Sequence, residues 1–299
     1  MKTALLSLFA LIAFAGNSVL CRLALSSNTS PQAIDPASFT SIRLLSGVLM
    51  LFVLLGLSRY LDRKSEEPIN PLGQSSKGSW LAGLSLFLYA ALFSYAYVSL
   101  DTATGALILF GTVQITMITV GWLRGTRLSL FESIGVCLAV VGFVYLFLPE
   151  LRQPSLLGFI LMVFAGIAWG DYTLRGQGSS HALSTTAYNF LRTVPLIALL
   201  LLGLAITGAT FNLTQTGLLL AIASGAITSG VGYAIWYAAL NGLSTTQAAV
   251  IQLLVPVIAA VGGVVFSNEL ISIRLVIAAM LVLGGVLLVI LGRAKSVSS

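Results

Sequence analysis

The residues able to do chemistry in this chain are polar groups set into long apolar runs, where each is unfavourable unless paired or wetted. Asp171 is the one acid that the pattern places inside such a run, and Arg175 follows four residues later, one helical turn away. Two roles fit it: a salt bridge at a helix end, which is the simpler, or a carboxyl that takes up and releases a proton. Arg43 and Arg192 each lie about six residues, roughly 9 Å, inside a predicted helix. A long side chain reaches the interface from that depth, so both read as anchors or gate contacts ahead of ligands. Aromatic residues cluster in three runs: Tyr89, Phe93, Tyr95 and Tyr97; Trp169 and Tyr172; Tyr233, Trp236 and Tyr237. Tyr89 with Phe93, and Tyr233 with Trp236, sit at spacings that share a helix face. Facing stripes of this kind stack on a planar apolar group while hydroxyl and indole donors hold its polar end; ordinary helix packing is the competing reading. Tyr97 and Tyr237 are assigned to packing, and Trp80 and Trp122 to the interfacial belt.

The amides Asn17, Gln114, Gln247 and Gln252 complete the inventory. Pro256 removes the bond to the Gln252 carbonyl, so that turn offers a bare carbonyl beside an amide; Pro195 supplies a kink. Gly166-Ile167-Ala168-Trp169-Gly170 is a GxxxG suited to close helix packing within the chain. The sequence has no GxxxxGK, HExxH or GxSxG signature, and the single histidine, His181, falls in a connection. Catalysis, ATP-driven pumping and a resident cofactor are therefore not expected. Cys21 and Cys137 lie inside apolar runs without CxxC spacing and read as packing residues.

The elements that carry these residues are membrane helices. Of 299 residues, 58% are apolar and 8% are Asp, Glu, Lys or Arg, against roughly 25% charged in a soluble domain, which excludes a soluble enzyme. At about 20 residues per span, helices are predicted at 4–25, 37–57, 79–99, 103–122, 130–148, 155–174, 186–206, 216–239, 246–266 and 272–292, with one long solvated loop from Ser58 to Ser79. Lys2 followed by an apolar stretch and Ala13-Phe14-Ala15 also fits a cleaved secretory signal, but cleavage would leave an odd number of spans. With ten spans, Lys2, Arg59, Arg63, Lys64, Lys77, Arg124, Arg127, Arg175, Arg293 and Lys295 share one face; Arg22, Arg152 and Arg274 take the other. The positive-inside rule then places both termini in the cytoplasm. The net charge of +6 follows from the same loop bias and implies no nucleic acid.

The chain also resembles itself at an offset of about 140 to 154 residues. Ala15 to Leu20 aligns with Trp169 to Leu174, Phe39 to Arg43 with Tyr188 to Arg192, and Tyr97 to Asp101 with Tyr237 to Asn241. Gly121 falls on Gly263 and Gly142 on Gly284. Five spans per unit is an odd number, so the second unit enters the membrane in the opposite direction, giving an inverted repeat with a site where the halves meet. The predicted units are 1–150 and 151–299.

Trp169-Gly170, the segment Tyr237 to Leu243 leading into Thr246-Gln247-Ala248-Ala249, Val255-Pro256, and Asn268-Glu269-Leu270 together resemble the EamA-type repeat of the drug/metabolite transporter superfamily. Within it, the chain looks most like bacterial aromatic amino acid exporters. The first unit departs from the pattern, with Asn17 against Asp171, Ala15 against Trp169 and Gln114 against Pro256. The resemblance implies an all-α protein of ten transmembrane helices in two inverted five-helix repeats, in a bacterial inner membrane. It implies a secondary carrier exporting small amphipathic metabolites, foremost aromatic or other apolar amino acids, and acting as a monomer in the bilayer. A multidrug or other metabolite exporter, or a passive channel, is the alternative. Trp169, Tyr89, Tyr233 and Trp236 are expected to hold the apolar part of a substrate, and Asn17, Gln114 and Gln252 its polar groups. With no buried cation evident, phosphorylated substrates are not expected.

Overall fold

A computed structural model describes residues 2–25, 33–64, 77–123, 125, 130–147, 155–176, 181–208, 211–240, 243 and 251–298. The first six spans are single helices: Lys2–Leu25, Pro36–Lys64, Trp80–Tyr97, Thr102–Leu123, Leu130–Phe147 and Ser155–Gly176. The seventh is Ala182–Leu191 followed by Thr193–Ile206; the eighth is Gln215–Ile222, a π-helical segment Ala223–Val231, and Gly232–Leu240; the ninth is Val255–Ser267 and the tenth Ile273–Ser298. Eight are long and apolar enough to cross a membrane by length and composition, and Leu130–Tyr145 and Val255–Ser267 are shorter apolar helices. Burial is distributed as a lipid solvent requires. Leu49, Leu123, Leu199 and Val265 lie exposed on the outside, whereas Thr40, Arg43, Ser94, Thr102, Glu132, Thr193 and Ser224 are buried.

Local chemistry sets the ends. Asp35 accepts from the Ser38 N–H at 2.9 Å ahead of Pro36, an N-cap followed by a proline whose missing donor is not needed there. Ser79 and Thr214 cap the third and eighth spans. Several expected boundaries change, the tenth helix running on to Ser298 among them. The second helix runs on to Lys64 through Ser58-Arg59-Tyr60-Leu61, because charged residues without Gly or Pro are good helix formers; residues 65–76 of the predicted loop lie outside the described residues. The seventh span starts four residues earlier than expected and breaks at Arg192, three residues ahead of Pro195. The ninth span is broken at 253–254, so that Pro256 sits in the first turn of a new helix, where its fixed φ is favourable.

Packing follows the repeat. The first span packs on the ninth as the sixth packs on the fourth, and the third on the sixth as the eighth on the first. The fifth and tenth spans, equivalent in the two repeats, pack directly together and run antiparallel: Gly135 lies against Gly285 and Val289, Gly142 against Leu281 and Val282, and Gly292 against Phe131 and Glu132. The second and seventh do the same, with Gly47 against Phe190 and Phe52 edge-on to Tyr188. A two-fold axis along the membrane normal would make equivalent helices parallel, so the axis lies in the membrane plane and the repeat is inverted. The GxxxG glycines serve intramolecular packing, Gly166 against Leu109 and Thr112 and Gly170 against Val113 and Thr116 of the fourth span.

Candidate functional site

The first, third, fourth, sixth and eighth spans meet around one narrow cavity. Its wall includes Phe14, Asn17, Tyr89, Phe93, Trp169 and Tyr233, and it is built around the Trp169 indole. Tyr233 stacks on that indole at 5.3 Å and 28°, Tyr172 at 5.3 Å and 30°, and Tyr89 tilts against it at 4.7 Å. Phe93 continues the layer, 5.4 Å from Tyr89 and 4.7 Å from Tyr97. Each such pair is worth about 0.5–1.5 kcal/mol beyond area burial. The volume left is about 20 Å³, room for about one water. The aromatic rings fill most of the space between these helices.

One edge of the cavity is polar. Asn17 Nδ2 donates to the Tyr89 hydroxyl at 3.2 Å, and Asn17 Oδ1 accepts from Ser224 Oγ at 2.6 Å and Thr228 Oγ1 at 3.4 Å. Ser224 and Thr228 come from the π-helical segment, a geometry often found at functional sites. Gly225 lets that segment close on the second span, since a Cβ there would meet the Arg43 carbonyl and Ser46 Oγ at 2.0 Å.

Asn17, Tyr89, Trp169 and Tyr233 of the predicted site are thus brought together, and Gln114, Trp236 and Gln252 are not. Gln114 is buried one turn beyond Phe110, which does line the cavity. Trp236 packs edge-on to Phe14 at 5.7 Å, in a separate cluster with Ala10 and Leu243. Positions three apart on a helix differ by 60° in direction, enough to carry Trp236 past Phe14 while Tyr233 faces Trp169. Gln252 is half-buried in the short helical turn before the ninth span, outside the cavity wall. Gln247 and the Tyr237 side chain lie outside the described residues. Tyr97 is buried and donates to the Thr102 carbonyl, as a packing residue would. A larger recess of about 460 Å³ between the first, eighth and ninth spans is walled by residues such as Phe9, Ile12, Val19, Ile235 and Phe266; a polar substrate end would find there only the Thr228 hydroxyl.

Two charged groups, Arg43 and Glu132, depart from the sequence reading. Arg43 does not snorkel: it is 2% exposed, its Nη2 donates to the Tyr89 hydroxyl at 3.0 Å, and its Cζ lies 5.0 Å from the Phe93 centroid and 5.2 Å from that of Tyr89. The site therefore does have a buried cation at its back. Arg192, its repeat counterpart, behaves as the expected anchor, donating to the Lys77 and Tyr188 carbonyls. Glu132 is 1% exposed in the fifth span, so Asp171 is not the only acid within the spans. Asp171 itself is half-exposed, paired with Arg175 Nε and accepting from Ser85 Oγ, both at 2.6 Å, the arrangement of a structural salt bridge.

Sequence reasoning also missed a clamp at the end of the first span. Arg22, buried, donates to Asp101 Oδ1 at 3.0 Å, Glu269 Oε1 at 3.3 Å, and the Tyr97 and Val98 carbonyls. Glu269 also accepts from the Thr102 N–H and hydroxyl at 2.9–3.0 Å, capping the fourth helix where an anion is favoured. Asn268, left-handed at φ 52, turns the chain so that Glu269 reaches inward. The Asn268-Glu269 pair in the sequence was the available signal.

Among the described residues, ten apolar helices related by an in-plane pseudo-two-fold around a polar-edged cavity make an inverted-repeat membrane protein. Residues 156–291 match the EamA-like transporter family. The chain is 47% identical over 296 residues to an uncharacterized protein of Pseudomonas aeruginosa, covering 98% of this chain and 97% of that one. It is 26% identical to an uncharacterized transporter of Archaeoglobus fulgidus, covering 96% of each. It is 24% identical to a probable amino-acid metabolite efflux pump of Salmonella typhimurium, covering 70% of this chain and 74% of that one. A crystal structure at 20% identity shares the fold, with a TM-score of 0.59 over 95% of this chain and 97% of that one. The chain belongs to the EamA-like transporter family of the drug/metabolite transporter superfamily; it is a multi-pass membrane transporter and not an enzyme.

Proposed function

We propose that this transporter exports small amphipathic metabolites, foremost aromatic and other apolar amino acids, by alternating access. It would do so from an inner membrane with both termini in the cytoplasm, as a single chain of two five-helix units, 1–150 and 151–299. The observation that carries this reading is the indole of Trp169 stacked among Tyr89, Tyr172 and Tyr233 beside the Asn17 hydrogen-bond hub. A planar side chain replaces one of these ring contacts, while the Asn17, Tyr89, Ser224 and Thr228 groups take its polar end. The kinship with a probable amino-acid metabolite efflux pump supports the direction and the substrate class. The closed cavity favours a carrier over a passive channel, because a solute enters only when the rings part.

Counterflow of tryptophan, phenylalanine and leucine in proteoliposomes tests it. Saturable exchange is expected. Trp169→Ala should raise the half-saturation concentration by about 2- to 13-fold, the equivalent of 0.5–1.5 kcal/mol of stacking, while Trp80→Ala and Trp122→Ala, both on the exposed surface, leave it unchanged. Unsaturable flux, or equal losses in all three variants at equal membrane expression, would refute the carrier site.

A further inference from the structure

Arg43 combines features that packing alone does not require. It is buried in the second span, and among the described residues no carboxylate pairs with it; Nε and Nη1 have no hydrogen-bond partner. Its guanidinium lies over the rings of Tyr89 and Phe93 and, through Nη2, donates to the Tyr89 hydroxyl, with Tyr233 and Cys21 also close enough to feel its charge. Tyr89 and Phe93 both form the cavity wall, so the guanidinium lies one layer behind it. Arg22 is engaged by Asp101 and Glu269 and Arg175 by Asp171, while Arg192, whose Nε also lacks a partner, donates to backbone carbonyls outside this cavity wall. A charge held in a low-dielectric interior without a counter-ion is disfavoured unless an anion arrives to pair with it.

We propose that Arg43 is the anion site of the central cavity, receiving one carboxylate of the substrate. The rings that must part to admit a side chain are those that cover the guanidinium, so opening the cavity uncovers the cation. The carboxylate then engages the end of the guanidinium, filling the empty Nη1 and competing with the Tyr89 hydroxyl at Nη2. In the closed state the Tyr89 oxygen accepts from both Asn17 and Arg43, so its own proton is available to donate to the same carboxylate. One cation in an otherwise neutral wall selects a single negative charge: carboxylated amphiphiles are bound in preference to the corresponding amines, and doubly charged phosphate esters are excluded. This deepens the functional reading above, on which its choice of aromatic probes rests.

The test is ligand-induced thermal stabilisation and counterflow of the purified protein with matched pairs: tryptophan against tryptamine, phenylalanine against phenethylamine, and octanoate against octylamine. Wild type should favour the carboxylate member of each pair at least tenfold. Arg43→Gln should remove that preference by weakening the carboxylate member while leaving the amine unchanged, and Arg43→Lys should restore part of it. A merely structural arginine would lower both members together. An unchanged ratio in Arg43→Gln, or a wild type that binds amines as well as carboxylates, overturns the proposal; the second criterion holds even if Arg43→Gln fails to fold. If neither aromatic pair binds to wild type, the amino-acid reading fails on its own, and the octanoate pair decides Arg43: preference lost in the variant supports the anion site, and no preference in wild type overturns it.

Discussion

The clamp at Arg22 makes a prediction that separates a gate from a staple. It joins the end of the first span, the turn at 97–101 and the Asn268-Glu269 cap, so an opening of the cavity toward that face has to break it. Glu269→Ala removes the acceptor of the Thr102 N–H and hydroxyl and leaves Arg22 with Asp101. Breaking a buried pair costs about 3–5 kcal/mol when the remaining charge is left unpaired; Asp101 still pairs with Arg22, so about 3 kcal/mol applies, and at 1.4 kcal/mol per factor of ten the population open on that face rises by about two decades. Glu269→Gln keeps the acceptor oxygen and loses the charge, turning charge-assisted bonds into ordinary ones; that is about 1–2 kcal/mol, or roughly 5- to 30-fold. Cys21 is a native reporter. It is fully buried, adjacent to Arg22, and one turn beyond Asn17 and Ser18 of the cavity wall. With the exposed Cys137 replaced by serine, the rate of maleimide labelling at Cys21 in detergent follows the open population. It should increase from wild type to Glu269→Gln to Glu269→Ala by those factors. Equal labelling rates in all three, with thermal stability lowered in the variants, would refute the gate and leave Glu269 as a helix cap.

Two further outcomes follow from the same geometry. Asp171 and Arg175 form a half-exposed i,i+4 pair, worth about 0.3–0.5 kcal/mol, so Asp171→Asn should lower thermal stability only slightly and leave downhill flux with the same pH dependence; loss of pH-gradient-driven uphill transport alone would assign it to proton coupling instead. Gly225→Ala should destabilise by about 3 kcal/mol or more, because its methyl would fall 2.0 Å from the Arg43 carbonyl, whereas Gly284→Ala, with nothing within 4 Å of its added carbon, should be neutral or gain about 0.5–1 kcal/mol in the same unfolding assay.

Much of the architecture was written in the chain, because membrane insertion depends on quantities that are linear in sequence. The length of apolar runs set the ten spans, the odd count of five per repeat set the inversion, and the spacing of Gly166 and Gly170 set a close helix contact. Part of the candidate cavity wall was equally legible: Asn17, Tyr89, Trp169 and Tyr233, which line it, are recognisable as polar or aromatic groups in mid-span. What a one-dimensional pattern leaves open is azimuth, the direction in which a residue points around its helix. Uniformly apolar spans have no polar face to mark the inside, so Tyr233 and Trp236 looked equivalent until Phe14 was found between their environments. Arg43 and Arg192 match in sequence depth, but tertiary packing alone decided that the first points inward beneath Tyr89 and Phe93 and the second toward a helix break. The clamp of Arg22, Asp101 and Glu269 spans 247 residues of sequence and exists only once three helix ends converge, since ion pairing at 3 Å depends on position in space and carries no local signature in the order of residues.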